Sequence, residues 1–576
     1  MVQIPITFDG CSGILNFPND GLTRATGIVL CRSWGFDELC TRKYFRQIAE
    51  MLCANGYPVL RFDYLGTVDS LDKSEGENLD DWVVSTNSAC EILKARTDCS
   101  SIALIGLGVG GLIASIVVKE RADISGLVLA APITNGRRYL REISLRARMI
   151  AEGLGLEQDA LPKDKVSIGG LVMPDTLCDA LKATNLQNIA VNSSLPALVF
   201  TRDASPSDQK FADHLATQGC SVTIRNFHGY NELMVDPTSS KIPLQTLNDL
   251  QSWICEQFPL VLASPRPVDA TSFPTTLETD EFRETGLVLR EQQPLYGVLC
   301  QPRGCKQGPV LVFLNSGYDH HGGWARNWVK AARALASQGF SSLRFDFSNV
   351  GDSPPRRNEP EQVLYTNGPI NDVSNLLDEL SQMVDGPIIL VGRCSGAFTG
   401  FHAGHHDPRV KGLALINQVR FIWDPEESIT DAARMGPRPM EEYKKKFIEV
   451  GTLKRLITGD IDVRGVLRGL FIHGTTRLSH LLAPVFPTIS KYARFRTECH
   501  KIFFALNQRN VPLFFLCSEG DESLEQLELY FGKGRKGLTR YPTASVTVLA
   551  NTDHNLTPQP AQAELIDFLS RVAKAV

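Results

Sequence analysis

The 576-residue chain has no apolar run near the roughly 18 residues that a membrane-spanning helix needs. Its opening, MVQIPITFDG, lacks the basic stretch followed by an apolar one that marks a secretory leader. The fourteen cysteines never fall in C-x-x-C spacing, which argues against a zinc site or a disulfide scaffold. Reduced thiols and a cytoplasmic setting are therefore expected. A net charge of −5 gives no global attraction to nucleic acid or to a membrane surface. What is present is a 43% hydrophobic and 21% charged composition, that of a globular protein with large cores. The length implies two to four domains.

The chain repeats itself. RFDYLGTVDS (61–70) and RFDFSNVGDS (344–353) share Arg-Phe-Asp and a terminal Asp-Ser. SIALIGLGVGG (101–111) pairs with PIILVGRCSGA (387–397), and SGLVLAAP (125–132) with KGLALINQ (411–418), both at an offset of 286. GIVLCRSWGFDE (27–38) pairs loosely with VLVFLNSGYDHH (310–321). Each half alternates short β-branched runs with helical stretches, so each is expected to be an α/β domain with a mostly parallel, doubly wound sheet. The stretch GLVLREQQPLYGVLCQP (286–302) alternates like an antiparallel hairpin at a sheet edge. The expected domains are 1–260 and 284–576, joined by a Pro-, Thr- and Ser-rich linker at 261–283.

The most informative motif is VGRCSGA at 391–397, between an apolar strand and a small-residue helix. Gly392 and Gly396 bracket Cys394 where larger side chains would clash with strand and helix. This Gly-x-Cys-x-Gly turn resembles the nucleophile elbow of the α/β-hydrolase superfamily, with cysteine where serine usually sits. The cysteine variant looks like that of dienelactone hydrolases and polyhydroxyalkanoate synthases, both Cys-Asp-His enzymes. The tandem layout matches neither group, so their substrates are not carried over. The resemblance implies the chain order nucleophile, acid, base. Cys394 comes first. Asp521 follows the strand VPLFFLC, with Glu519 nearby as an alternative, and His554 follows the strand SVTVLAN, next to Asp553. Cys394 would attack an acyl carbon, His554 would carry protons, and Asp521 would orient the imidazole. The amide of Ser395, with one from Gly317 or Tyr318, would form the oxyanion hole.

The first half keeps the frame and loses these groups. GLGVG (106–110) places Gly108 at the nucleophile position. Tyr230 or Asn231 falls opposite His554, with His228 two residues early, and Ser205 falls opposite Asp521, near Asp203 and Asp208. A pseudoenzyme domain is expected. Gly106, Gly108 and Gly111 also spell G-x-G-x-x-G, but Glu120 comes too early for the ribose-binding acid, and the repeat explains the glycines better. His402, His405 and His406 lie at a helix C-terminus, where histidine suits the dipole, and are read as no metal site. No cofactor and no metal are expected.

Residues 418–510 exceed what the sheet needs and are expected to form a helical cap, MEEYKKKFIEVGTLKRLI and RFRTECHKIFFALNQ being helices. From 420 to 510 sixteen Lys and Arg face ten Asp and Glu. This is either a solvated face or an attraction for an anionic substrate such as a coenzyme A or acyl-carrier-protein thioester. The expected function is acyl transfer through a thioester intermediate, first as an ester or thioester hydrolase. The alternatives are an acyltransferase to an alcohol or amine, and a non-catalytic binding protein on the same frame.

Overall fold

The computed structural model describes residues 2–18, 23–97, 99–156, 160–188, 194–203, 205–259, 273–290, 292–304, 308–357, 359–429 and 490–576, with the single residues 479 and 488. Two compact units emerge. One comprises Met1–Cys305, Tyr318–Gly339 and Leu343–Glu359; the other comprises Lys306–Gly317, Phe340–Ser342 and Pro360–Val576.

The strands of the first half are β1 (Val2–Phe8), β2 (Cys11–Phe17), β3 (Thr26–Cys31), β4 (Val59–Phe62), β5 (Ser101–Leu107), β6 (Ile124–Ala130), a small pair β7 (Ser167–Ile168) and β8 (Leu171–Val172), β9 (Pro196–Thr201) and β10 (Ser221–Asn226). Those of the second are β11 (Thr276–Glu278), β12 (Phe282–Leu289), β13 (Leu295–Pro302), β14 (Val310–Phe313), β15 (Ser341–Phe345), β16 (Ile388–Arg393), β17 (Val410–Ile416), β18 (Leu513–Ser518) and β19 (Ala544–Leu549). The eight-stranded sheet runs β1-β2-β4-β3-β5-β6-β9-β10 and the nine-stranded sheet β11-β12-β13-β15-β14-β16-β17-β18-β19. Apart from the extra edge strand β11, the two orders are the same. Each has an antiparallel hairpin near one edge, β1–β2 or β12–β13, and parallel ladders such as β5–β6 and β16–β17 further in; β2 pairs antiparallel with β4 between them. The second hairpin is the one legible at 286–302. The first was not anticipated, because Pro5 interrupts its alternation. The central parallel strands are buried along nearly their whole length, as helices on both faces of a sheet require, whereas the edge strands β10 and β19 are only partly covered.

The repeated Arg-Phe-Asp…Asp-Ser segments build a buried charge network within the first unit. Arg61 pairs with Asp352, the terminal aspartate of the other copy. Arg344 donates to Asp69 at 3.0–3.1 Å, so the exchange is reciprocal. Arg42 bridges Asp63 at 2.6 Å and Asp352 at 2.8 Å. The paired serines act alike: Ser70 Oγ donates to the Asp63 carbonyl and Ser353 Oγ to the Asp346 carbonyl. His321 lies between two carboxylates, Nδ1 at 2.8 Å from Asp346 and Nε2 at 2.6 Å from Asp69. Burial disfavours its charge, but the two aspartates outweigh it and raise its pKa to about 10. Asp352, despite burial, is held far below the usual carboxylate range by Arg42, Arg61 and Arg32. His321, Asp346 and Asp352 also have metal-ligand spacing, but guanidinium groups and the imidazolium already supply the cations.

Removing one partner strands the others in a medium that cannot solvate them. Asp352→Asn is expected to cost about 3–5 kcal/mol in denaturant unfolding, whereas Asp179→Asn, in an exposed pair with Lys182, leaves the midpoint unchanged. The raised pKa of His321 also sets an alkaline limb. Its contribution is complete below the unfolded-state value of about 6.5 and is lost as pH rises through about 10. Unfolding midpoints measured from pH 6 to 10.5 should fall over that window.

Candidate active site

Strand β16 passes into the helix Ser395–His406 through a single residue, Cys394, at φ 53° and ψ −116°. Crowding dictates the flanking glycines. A Cβ at Gly392 would lie 2.3 Å from the Gly396 carbonyl group, and one at Gly396 would lie 2.4 Å from the Asn315 carbonyl oxygen. The turn lifts the half-buried Cys394 side chain above the carboxyl ends of the strands, where open α/β sheets place their sites.

His554 and Asp521 come to the same sheet end in the same unit. Asp521 caps the helix Glu522–Phe531, Oδ1 accepting from the Ser523 amide at 2.9 Å, and its Oδ2 lies 2.7 Å from His554 Nδ1. The alternatives have other positions: Glu519 is exposed, and Asp553 accepts from the Thr557 amide at 2.7 Å and the Thr557 hydroxyl at 2.8 Å. His554 and Cys394 lie close enough for each to shift the other's titration. Burial by itself would push the Cys394 thiol up; His554, with Arg393 behind it, holds it below the usual 9.0. Burial opposes charge on His554, but Asp521 and Cys394 raise it to about 10. Asp521, penalised by burial, is lowered by His554. The arrangement favours a thiolate–imidazolium pair.

The expected oxyanion donors sit differently from one another. The Ser395 amide opens the helix, where N–H groups lack intrahelical acceptors. The Gly317 amide donates to Ser395 Oγ at 2.8 Å. Tyr318 belongs to the first unit, with Lys43 Nζ 5.5 Å from its ring centre.

Two residues at this site were missed in the sequence. Asn417, fully buried at φ 45°, donates to the His554 carbonyl at 2.8 Å and to Ser518 Oγ at 2.9 Å, while its own oxygen accepts from the Ser518 amide at 2.7 Å. It ties the ends of β17 and β18 to the histidine loop. An asparagine directly after a strand, a residue tolerant of left-handed backbone, was the available signal. Tyr365 is the other; its hydroxyl lies 4.0 Å from Cys394 Sγ, and nothing in its own stretch of chain marks it.

Two family models match the chain. One, described as the alpha/beta hydrolase fold, covers residues 309–460, and one described as serine aminopeptidase S33 covers residues 29–225. These matches, with the relative below, support an α/β-hydrolase superfamily member. Among curated members, Esterase EstD from Thermotoga maritima is 25% identical over 260 residues, which is 42% of this chain and 62% of that protein. The chain thus spans less than two thirds of that relative. Solved structures with a likeness include Est1E from Butyrivibrio proteoclasticus with ferulic acid bound (18% identity, 44% of this chain, 98% of that one, TM-score 0.33) and alpha/beta hydrolase domain-containing protein 10 from mouse (18% identity, 51% and 98%, TM-score 0.29).

The first half of this superfamily member repeats the elbow without a reactive side chain. Gly108 holds φ 60° and ψ −122°, close to Cys394, and a Cβ at Gly110 would lie 2.1 Å from the Cys31 carbonyl oxygen. Ala131, at φ 47°, takes the backbone pose of Asn417 without its amide. Asp208 is held by Arg202 at 2.8 and 3.0 Å. Ser205, Asp203, His228, Tyr230 and Asn231 line a cavity of about 370 Å³ with Arg202. In the second unit a larger cavity of about 910 Å³ lies at the amino ends of the strands, by Ile388 and Pro512, away from Cys394. His402 Nε2 lies 2.9 Å from the Phe421 carbonyl oxygen, which accounts for its ring. Most of the expected cap, including MEEYKKKFIEVGTLKRLI, lies outside the described residues; the helix Lys491–Gln508 is described. At the described margins of that stretch, Arg420 pairs with Glu427 and Glu522, and Lys491 with Asp424 and Glu426. No helix among the described residues is long and apolar enough to cross a membrane.

A rate–pH profile for alkylation of Cys394 by iodoacetamide tests the ion pair. Its midpoint should lie below 9.0 in the native protein and move upward in His554→Ala, where burial is opposed only by the weaker influences of Arg393 and Tyr365.

Proposed function

We propose that the chain is an acyl-transfer hydrolase acting on an ester or thioester, with Cys394 as nucleophile, His554 as acid and base and Asp521 as the orienting carboxylate. The observation that carries the reading is the juxtaposition of His554 Nδ1 and Asp521 Oδ2 at 2.7 Å, with a cysteine at the strained apex of the elbow whose thiol His554 lowers. The thiolate attacks the acyl carbon. The carbonyl electrons move to oxygen, where the Ser395 amide donates; Gly317 joins once its amide turns from Ser395 Oγ to the oxyanion. The imidazolium gives its proton to the leaving oxygen or sulfur as the carbonyl re-forms. A water molecule then attacks the thioester, His554 takes its proton, and collapse of the second tetrahedral adduct releases the acid and the thiolate.

In this reading residues 284–576 carry the chemistry and residues 1–260 are a domain that has lost it, with Gly108 at the position of Cys394. The substrate is a small acyl compound, and thioesters of coenzyme A or a carrier protein are candidates through the basic composition of 420–510.

The test is intact mass after mixing with p-nitrophenyl acetate and with acetyl-coenzyme A. A 42-Da acetyl adduct that is absent in Cys394→Ala, and decays to acetate in water, is expected. Transfer of the acetyl group to an added alcohol or amine in preference to water would make the chain an acyltransferase. No adduct with either donor, and no turnover, would make it a binding protein on a hydrolase frame.

A further inference from the structure

Tyr365 has features that a packing tyrosine does not need. It is a non-glycine residue at φ 58°, in the left-handed region that costs a side-chain-bearing residue energy. It immediately precedes Thr366, which caps the helix Asn367–Met383. Its ring is fixed on two sides. It stacks on Trp423 at 4.3 Å between centroids with 5° between planes, and meets the edge of Phe398 at 5.1 Å and 73°. Phe398 stands one turn along the helix that begins at the elbow. This clamp leaves the phenol one direction, and its oxygen ends 4.0 Å from Cys394 Sγ. Burial, with Cys394 nearby, pushes the phenol well above its ordinary range, so it stays protonated and acts as a donor at every pH where the cysteine works.

We propose that Tyr365 is a further catalytic residue, whose O–H donates a hydrogen bond to the Cys394 sulfur while it is a thiolate and to the oxygen of the tetrahedral adduct once that sulfur is acylated. The inference rests on the acyl-transfer reading. No proton changes hands: the phenol keeps its hydrogen, and only the acceptor changes. The thiolate is the better acceptor before attack. Once the carbon–sulfur bond forms, the sulfur's charge passes to the carbonyl oxygen, and a donor beside the sulfur finds the new charge without moving far. Tyr365 thereby supports both the resting nucleophile and the transition state. The strained backbone holds it where the chemistry needs a donor.

Tyr365→Phe keeps the ring, the Trp423 stack and the Phe398 edge, and removes only the hydroxyl. Two measurements read it. The first is iodoacetamide alkylation of Cys394 against pH, in which Tyr365→Phe should shift the midpoint upward and slow alkylation at pH 6 about 5-fold or more, as expected for loss of one hydrogen bond to a charged group. The second is single-turnover acylation by p-nitrophenyl acetate, whose limiting rate should fall at least about 10-fold with KM unchanged, as loss of the donor to the oxygen of the tetrahedral adduct implies. A wild-type alkylation profile and wild-type acylation rate in Tyr365→Phe would overturn the inference and leave the acyl-transfer reading intact. A raised KM with an unchanged limiting rate would also overturn it, making Tyr365 a wall of the binding site. If the native protein itself forms no acyl adduct, the acyl-transfer reading falls and the inference with it. Near-ultraviolet circular dichroism of the Tyr365–Trp423 stack shows that the variant is folded.

Discussion

A strand that must become a helix within one residue leaves no space for side chains beside the turn. That constraint organises this chain twice. At Gly392 and Gly396, as at Gly106 and Gly110, a Cβ would fall 2.1–2.4 Å from backbone atoms of the same or an adjacent segment. The residue between is forced to positive φ, whether it is Cys394 or Gly108. Its side chain has one direction to point, out over the carboxyl ends of the strands, where the loops after β18 and β19 bring Asp521 and His554. The sulfur's position is a consequence of backbone packing, and the lowered pKa of the thiol follows from what that packing places beside it.

The two halves show which parts of such a frame recur when the residue at the elbow is glycine instead of cysteine. The strand order, the elbow angles and the positive φ after the next strand, at Ala131 as at Asn417, recur in the half without a reactive side chain. These belong to the backbone. The side chains that differ, cysteine to glycine and asparagine to alanine, are those that make contacts only at the site. The Arg-Phe-Asp segments are the opposite case. Both copies keep their charges, because each arginine is the counter-ion of the other copy's aspartate, and loss of either leaves a buried charge alone.

Local steric rules are why so much of the site could be read early. Gly-x-Cys-x-Gly between a strand and a helix has few other physical explanations, and the order of strands that follows places an acid and a base on the next two loops. Asp521 was the acid expected from the sequence, but its neighbours Glu519 and Asp553 could not be excluded there, since a loop has no regular side-chain period. In the structure Asp521 caps its helix and lies 2.7 Å from His554, while Asp553 is engaged by Thr557. Tyr365 was invisible for a different reason: its importance comes from a sulfur 29 residues away and an indole 58 residues away, with no periodicity linking them.

The amino-acid sequence by itself determined the α/β class, the duplication, the elbow and the absence of a reactive side chain at position 108, because each depends on residues within a few positions of one another or on the repetition of such a group. Only the tertiary structure decided the partners of the buried arginines, the amide clamp of Asn417, the acid that faces His554 and the phenol that faces Cys394. Those are pairings between distant segments, set by how strands and helices pack, and electrostatics over a few ångströms has no counterpart in distance along a chain.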